Sequence, residues 1–289
     1  MSSYTGRFAP SPSGSLHFGS LVAALGSYLR ARSQQGKWLV RIEDIDPPRE
    51  IPGAADDILR TLEQFGLHWD GDILYQSNRL EAYQQQIDNL LADDQAYFCQ
   101  CTRKQIKEMG GTYDGRCGRL EPPLSSGAIR IRNQSAIASF DDILMGKVTT
   151  STDFAAEDFI LKRSDGLYAY QLAVVLDDAF QGITEVVRGA DLLEATVRQL
   201  SLYQQFGLAE PQWLHLPLAS LEPGFKLSKQ NHATPVDGNQ PQPALQAALT
   251  FLGQPQVEWY QDIRLMLEQA VAQFELHRIP GQREILLTN

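Results

Sequence analysis

Two stretches of the chain group residues whose chemistry suits an activated phosphate. In RFAPSPSGSLHFGSLVAAL, Arg7 to Leu25, a basic residue, two prolines, two glycines and a histidine stand directly ahead of an apolar helical pattern. Pro10 and Pro12 fix their own φ angles and restrict the residues before them, while Gly14 and Gly19 let the backbone come close to a ligand. A helix beginning near His17 presents unpaired N–H groups with partial positive charge, suited to a polyphosphate, and the imidazole adds a donor beside them. Far along the chain, KLSKQ at Lys226 to Gln230 sets two lysines three positions apart around Ser228, a spacing that can clamp departing phosphates. Alone, either stretch has a plainer reading, a strand-to-helix turn or a solvated basic loop. A third group, Cys99, Cys101 and Cys117, offers three thiolates, one ligand short of a closed tetrahedral zinc site, with three buried apolar cysteines as the alternative.

The two phosphate-directed stretches resemble the HIGH and KMSKS signatures of class I aminoacyl-tRNA synthetases. RFAPSPSGSLHFGS, RIEDID at Arg41 to Asp46, DGLYAYQLAVVLDDAFQGITEVVRGADLL and HLPLASLEPGFKLSKQ narrow the resemblance to the glutamyl-tRNA synthetase group and cover most of Arg7 to Gln230. Two positions depart from the signatures. Ser20 stands where the second histidine would be, which removes one phosphate donor, and Gln230 replaces a terminal serine, which leaves both lysines in place. The residues after Gln230 are too few for the large anticodon-binding domains of a full glutamyl-tRNA synthetase, an outline that resembles a compact paralogue within the group.

The resemblance implies an α/β fold: a Rossmann-type nucleotide-binding core with a parallel sheet, an inserted zinc-binding, acceptor-type subdomain and a short helical C-terminal region. It implies an ATP-dependent ligase that joins L-glutamate to AMP and passes it to the queuosine base in the anticodon loop of tRNA(Asp). Mg²⁺ is expected with the ATP, although the sequence offers no dedicated protein ligand for it. His17, Lys226, Ser228 and Lys229 would stabilise the phosphoryl transition state, with His17, Gly19 and Lys229 binding ATP. Arg7 and Arg188 match positions that contact the amino acid, and a guanidinium fork suits its carboxylates. Glu43 would take the α-ammonium, with Ala9, Ser11 and Tyr170 completing the pocket. The same resemblance implies Tyr113 as fourth ligand to a structural zinc beside Cys99, Cys101 and Cys117; Asp114 or water is the fallback, and His68 is distant in sequence. Charging of a tRNA 3′ end or a small acceptor, or a non-catalytic role binding RNA or protein, are the competing functions.

These residues need a sizeable scaffold, and 289 residues with 43% hydrophobic and 21% charged content provide for one large domain with an insert or appendage. No apolar run approaches the roughly 18 residues of a membrane span, and MSSYTG has no signal-peptide core; the expectation is a cytoplasmic protein with no membrane association and no obligatory protein partner. A net charge of −10 disfavours broad adhesion to nucleic acid while allowing a local basic face. Periodicity predicts a strand over Tyr4 to Ala9, a helix on Phe18, Leu21, Val22, Leu25 and Leu29 that ends before Gly36, and a strand over Trp38 to Ile42. Helices follow on Ile58, Leu59, Leu62 and Phe65, and on Leu80 to Leu91 with Ser77 as cap. EDFILKR and ITEVVRG read as main-sheet strands on either side of a helical YAYQLAVVLDDA, and Leu192 to Phe206 reads as a helix. HLPLASLEPGFKLSKQN reads as a strand and a long loop, and the tail from about Pro243 as mostly helical. The expected division is a core in two parts, 1–96 and 154–220, an insert at 97–153 and a C-terminal region at 221–289.

Overall fold

The computed structural model describes residues 4–227 and 234–287, with the side chains of Phe225 and Lys226 excepted. Thr5–Phe8 forms strand β1, buried throughout. The apolar pattern after it becomes helix α1 (Phe18–Ser33), whose buried residues, from Leu21 and Val22 to Leu29 and Ala31, point in several directions. A helix apolar on more than one face belongs in the interior. It stops where Gln35 takes a left-handed φ of 53° and the Gly36 amide bonds back to the Ala31 carbonyl at 2.9 Å. Strand β2 (Lys37–Ile42) then runs parallel to β1, with Arg7 opposite Leu39 and Phe8 opposite Val40.

Helix α2 (Ala54–Gln64) buries Ile58 and Leu62 and leads to strand β3 (Leu74–Tyr75), parallel to β2. Helix α3 (Leu80–Ala92) follows a 3₁₀ turn and carries no side-chain cap. Ser77 is engaged elsewhere: its amide and hydroxyl donate to Asp44 at 2.9 and 2.6 Å, a charged acceptor preferred over the helix end.

An antiparallel sheet comes next. Strand β4 (Ala96–Cys99), helix α4 (Arg103–Glu108), strand β5 (Ala128–Ile131), the hairpin β6 (Ser139–Asp142) and β7 (Gly146–Thr149), helix α5 (Thr152–Ala156) and strand β8 (Ile160–Lys162) follow in order. The strand in EDFILKR is this β8, and it pairs antiparallel with β5 instead of joining the parallel strands. An apolar run signals a buried strand but carries no information on its partner.

Helix α6 (Tyr170–Phe180) returns the chain to the parallel strands, where β9 (Glu185–Gly189), helix α7 (Thr196–Gln205) and β10 (Gln212–Leu216) follow. Strand β9 lies beside β1, tied by the Thr184 amide to the Thr5 carbonyl at 2.9 Å. The segment read as one strand and a loop holds three strands, because Pro223 and Gly224 turn β11 (Leu218–Glu222) back on β12 (Phe225–Lys226). The tail supplies the expected helices α8 (Pro241–Phe251) and α9 (Ile263–Ala272), both packed near α1. It also adds strand β13 (Glu284–Leu286), parallel to β11, which the helical reading missed.

The parallel strands divide the core in two. Phe8, Trp38, Val40, Ile42, Val187, Leu214 and Leu216 share a cluster with α1, α8 and α9, whereas Val186 and Trp213 pack with α3, α6, α7 and the antiparallel sheet. Side chains alternate along a strand, so Arg7, Arg41, Arg188 and His215 all fall on the α6–α7 side.

The crossover between β1 and β2 is tight. A Cβ on Gly36 would lie 2.6 Å from the Tyr4 carbonyl oxygen, a backbone atom held in place by the Lys37 amide. Gly36→Ala is therefore expected to lower stability by about 1–3 kcal/mol, read from the midpoint of denaturant unfolding; an unchanged midpoint would show that the crossover can relax.

Candidate active site

Arg7, Ala9, Ser11, Glu43, Tyr170 and Arg188 line one cavity of about 450 Å³. The strands deliver Arg7 and Arg188, the segment just beyond β2 delivers Glu43, and the first turn of α6 delivers Tyr170. The proline-rich loop is pinned to this edge: the Pro10 carbonyl accepts from the Glu43 amide at 3.0 Å and the Pro12 carbonyl from the Ile51 amide at 2.9 Å. That anchoring holds Ala9 and Ser11 at the cavity wall.

The arginines are neutralised unequally. Arg7 grips Asp178 through Nε and Nη2 at 3.0 and 3.3 Å, and Arg41 donates to the same carboxylate at 2.8 Å. Burial pushes the Asp178 carboxyl up, but Arg41 and then Arg7 overcome it and hold the group below the ordinary carboxylate range. Arg41 also donates to Gln181 at 2.8 Å and lies 3.4 Å from Glu43. Burial raises the Glu43 carboxyl despite the pull of Arg41 and Arg7, so its negative charge is under-compensated and suited to an ammonium.

Arg188 has a different shell. Its hydrogen-bond acceptors are His215 at 3.0 Å, Gln199 at 2.9 Å, Thr196 at 2.8 Å and Tyr170 at 3.4 Å, and the guanidinium lies over the Trp213 ring. These groups are neutral, and burial pulls the Arg188 pKa down. A buried cation among neutral acceptors gains most from an incoming anion.

A second cavity, of about 210 Å³, shares Ala23, Gly189 and Asp191 with the first and is lined on its far side by His17, Gly19, Ser20 and Leu227. His17 is the N-cap of α1, accepting the Ser20 amide on Nδ1 at 3.4 Å, so the donor expected of the imidazole is Nε2–H. Gly19 earns its place here: an added Cβ would sit 3.2 Å from the His17 ring and 3.6 Å from the Leu227 carbonyl oxygen. Leu227 belongs to the KLSKQ stretch and is tied by its amide to the Ala219 carbonyl at 2.7 Å. The early loop and the start of the late lysine segment therefore meet across this cavity. Lys226, in β12, is described by its backbone, opposite Ser220 of β11, while Ser228, Lys229 and Gln230 lie outside the described residues.

The three thiols also converge. The sulfurs of Cys99, Cys101 and Cys117 lie within 4.8 Å of one another, the Cys101 and Cys117 sulfurs 3.5 Å apart. Tyr113 is buried with Cys99 and Cys117, its hydroxyl accepts the Cys117 amide at 2.9 Å, and burial raises its pKa, followed by hydrogen bonding to Cys117. Asp114 is committed to Arg116, which holds its carboxyl down at about 2. Three sulfurs and a neighbouring phenolic oxygen fit a thiophilic ion such as zinc. His68 is not part of this group.

Arg41, Asp178 and His215 lie within the motifs that carry the resemblance without a role assigned to them, and Asp142, Thr196 and Gln199 lie outside the candidate site residues. A signal was present. Arg41, Asp178 and His215 interrupt the apolar runs KWLVRI, YQLAVVLDD and QWLHL, and an ionisable group in such a run must find a partner once buried.

Residues 4–253 match the family of class I tRNA synthetases (E and Q), catalytic domain. The chain belongs to this family, and is an ATP-dependent ligase with the class I catalytic fold. It is 70% identical to the glutamyl-Q tRNA(Asp) synthetase of Shewanella oneidensis over 99% of this chain and 95% of that protein. It is 56% identical to the protein of the same name from Escherichia coli, over 96% and 91% of the two chains. A crystal structure of a glutamate tRNA ligase from Elizabethkingia meningosepticum superposes with a TM-score of 0.78 at 25% identity, covering 96% of this chain and 66% of the ligase. Among the described residues no helix is long and apolar enough to cross a membrane.

Removing the charge shared by Arg7 and Arg41 tests the buried network. Asp178→Asn leaves two buried guanidiniums short of a counter-charge and is expected to cost about 3–5 kcal/mol. Because the folded-state pKa of Asp178 lies below its reference of 3.8, that gap should be constant from neutral pH down to about that reference value and shrink below it, as the wild-type carboxylate takes up a proton. Denaturation curves of both proteins across this range measure it; a gap independent of pH would contradict the charge assignment.

Proposed function

We propose that the chain activates L-glutamate with ATP and esterifies it to the queuosine base in the anticodon loop of tRNA(Asp), a reading supported by the name glutamyl-Q tRNA(Asp) synthetase that its relatives carry. The observation that carries the reading is the meeting of the amino-acid cavity and the HFGS–KLSKQ cavity along a shared wall. In the first step the glutamate α-carboxylate attacks the α-phosphorus of ATP and pyrophosphate leaves. In the second a hydroxyl of the cyclopentenediol ring attacks the activated carbonyl and AMP leaves.

The chain's contribution is alignment and charge stabilisation. Arg188 receives a glutamate carboxylate, because its hydrogen-bond partners among the described residues are neutral. Glu43 takes the ammonium, and Arg7, held by Asp178, lends the pocket a second guanidinium. Ala9, Ser11 and Tyr170 close the walls. His17, Gly19 and the amides at the start of α1 face the phosphates, with Lys226, Ser228 and Lys229 stabilising the charge that develops as pyrophosphate departs. Mg²⁺ enters with ATP as substrate.

Cys99, Cys101 and Cys117, with Tyr113 as fourth donor, would hold a structural zinc that ties together a region whose own apolar cluster is small. The division into a core at 1–96 and 154–220, an insert at 97–153 and a C-terminal region from 221 belongs to the same reading, as does a cytoplasmic location where ATP and tRNA are present. Neither step calls for a membrane or a second protein.

Transfer of labelled glutamate to tRNA with and without queuosine tests the acceptor. Alkali-labile label on the queuosine-containing tRNA alone is expected; equal labelling of both would place the ester on the 3′ end. In glutamate-dependent ATP–pyrophosphate exchange, His17→Ala and Lys229→Ala should each lose about 10²-fold or more, and a total absence of exchange by the unaltered protein would favour the non-catalytic function. Cys101→Ser should lower zinc content by elemental analysis, and a full complement of zinc would remove that thiol from the ligand set.

A further inference from the structure

The acceptors around Arg188 are themselves fixed in orientation. Strands β9 and β10 run parallel with Arg188 directly opposite His215. His215 is fully buried between aromatic neighbours, stacked on Trp213 with the rings 13° from parallel and meeting Phe140 edge-on. Its Nδ1 lies 2.7 Å from Asp142 Oδ2, and its Nε2 lies 3.0 Å from Arg188 Nε. An arginine Nε–H can only donate. His215 Nε2 is therefore the acceptor, and the imidazole proton sits on Nδ1, directed at Asp142.

Asp142 is held as firmly. This buried residue at the end of β6 accepts the Leu144 and Met145 amides on Oδ1, at 3.0 and 2.8 Å, and the His215 amide on Oδ2 at 3.1 Å. Burial, the largest influence on His215, outweighs the pull of Asp142 and brings the pKa down to about 4, so the ring is neutral near neutrality with Asp142, Arg188 and Asp191 around it. On the other side of the guanidinium, the Thr196 hydroxyl donates to the Leu192 carbonyl at 3.0 Å, and the Gln199 amide donates to Gln171 at 2.7 Å. Both therefore turn an oxygen toward Arg188.

We infer that His215 and Asp142 are positioning residues for Arg188: the carboxylate fixes the imidazole tautomer, and the imidazole lone pair fixes the guanidinium plane at the cavity wall. The pair thus presents Arg188 to a carboxylate without neutralising it, as a directly bound aspartate would. A carboxylate oriented through a histidine holds its charge one ring further from the arginine, and the charge still raises the basicity of the nitrogen that accepts the Nε–H. The contrast with Arg7 is direct, since that arginine touches Asp178 and is already paired. The inference rests on the assignment of Arg188 to the glutamate pocket.

Steady-state ATP–pyrophosphate exchange with the full chain tests it. His215→Phe keeps an aromatic ring and removes both nitrogen contacts; it should raise the KM for glutamate about tenfold, the worth of one charge-assisted hydrogen bond, with the KM for ATP within about twofold. His215→Gln returns an acceptor to Arg188 and should recover most of the loss. An unaltered glutamate KM in His215→Phe, or equal increases in both KM values, overturns the positioning role. Should His215→Phe not fold, Asp142→Asn decides: a severalfold rise in glutamate KM alone supports the inference, and wild-type behaviour overturns it. Arg188→Ala separates the two levels. An unchanged glutamate KM there overturns the pocket assignment itself, whereas a raised value beside a wild-type His215→Phe overturns the positioning role alone.

Discussion

Buried guanidinium charge is the constraint on which this molecule turns. Arg7, Arg41 and Arg188 point to the same side of the parallel strands, into a region closed by α6 and α7. Taking such charges out of water is costly unless each is compensated. The chain compensates them in two ways. Asp178, projecting from α6, serves both Arg7 and Arg41, whereas Arg188 is wrapped in neutral acceptors whose negative counterpart, Asp142, stands one imidazole away. Both Arg7 and Arg188 line the cavity, the first balanced by a carboxylate and the second bonded, among the described residues, to neutral acceptors.

The rest of the architecture places these charges and shields them. Helix α1 separates the strands from the C-terminal helices α8 and α9, and its amino end brings His17 and Gly19 to the second cavity. The bonds of Arg30 to Glu185, at 2.8 and 2.9 Å, tie the carboxyl-terminal part of α1 to the start of β9. Strand β11 carries Ala219, which holds Leu227 at that cavity, and is itself flanked by β12 and β13. The thiol cluster lies apart in a region with little apolar core, where three sulfurs and Tyr113 supply the convergence that packing elsewhere provides.

Much of this was legible in the sequence. The β1–α1–β2 crossover was readable from periodicity to within a residue or two, because a strongly apolar helix between two apolar strands has few alternatives. Arg7, Ala9, Ser11, Glu43, Tyr170 and Arg188 could be nominated together through a resemblance, and the fold gathers all six around one cavity. Ser77 and β8 show where local reading fails. A serine ahead of a helical pattern looks like a cap until Asp44, from another loop, competes for it, and ILK looks like a core strand whichever sheet it joins.

Residue types and order alone determined the proline- and glycine-rich loop, the glycine at its close approach, the three thiols and the strand–helix alternation, since each depends on neighbours in sequence or on intrinsic side-chain chemistry. Tertiary structure alone decided that Arg7 and Arg41 share one aspartate while Arg188, among the described residues, is bonded to neutral acceptors. It also decided that Asp142, from a hairpin between antiparallel strands, reaches His215 on β10. Charge compensation and hydrogen bonding act over a few ångströms in space, and these partners lie many tens of residues apart along the chain. Their roles exist only once folding has removed the water between them.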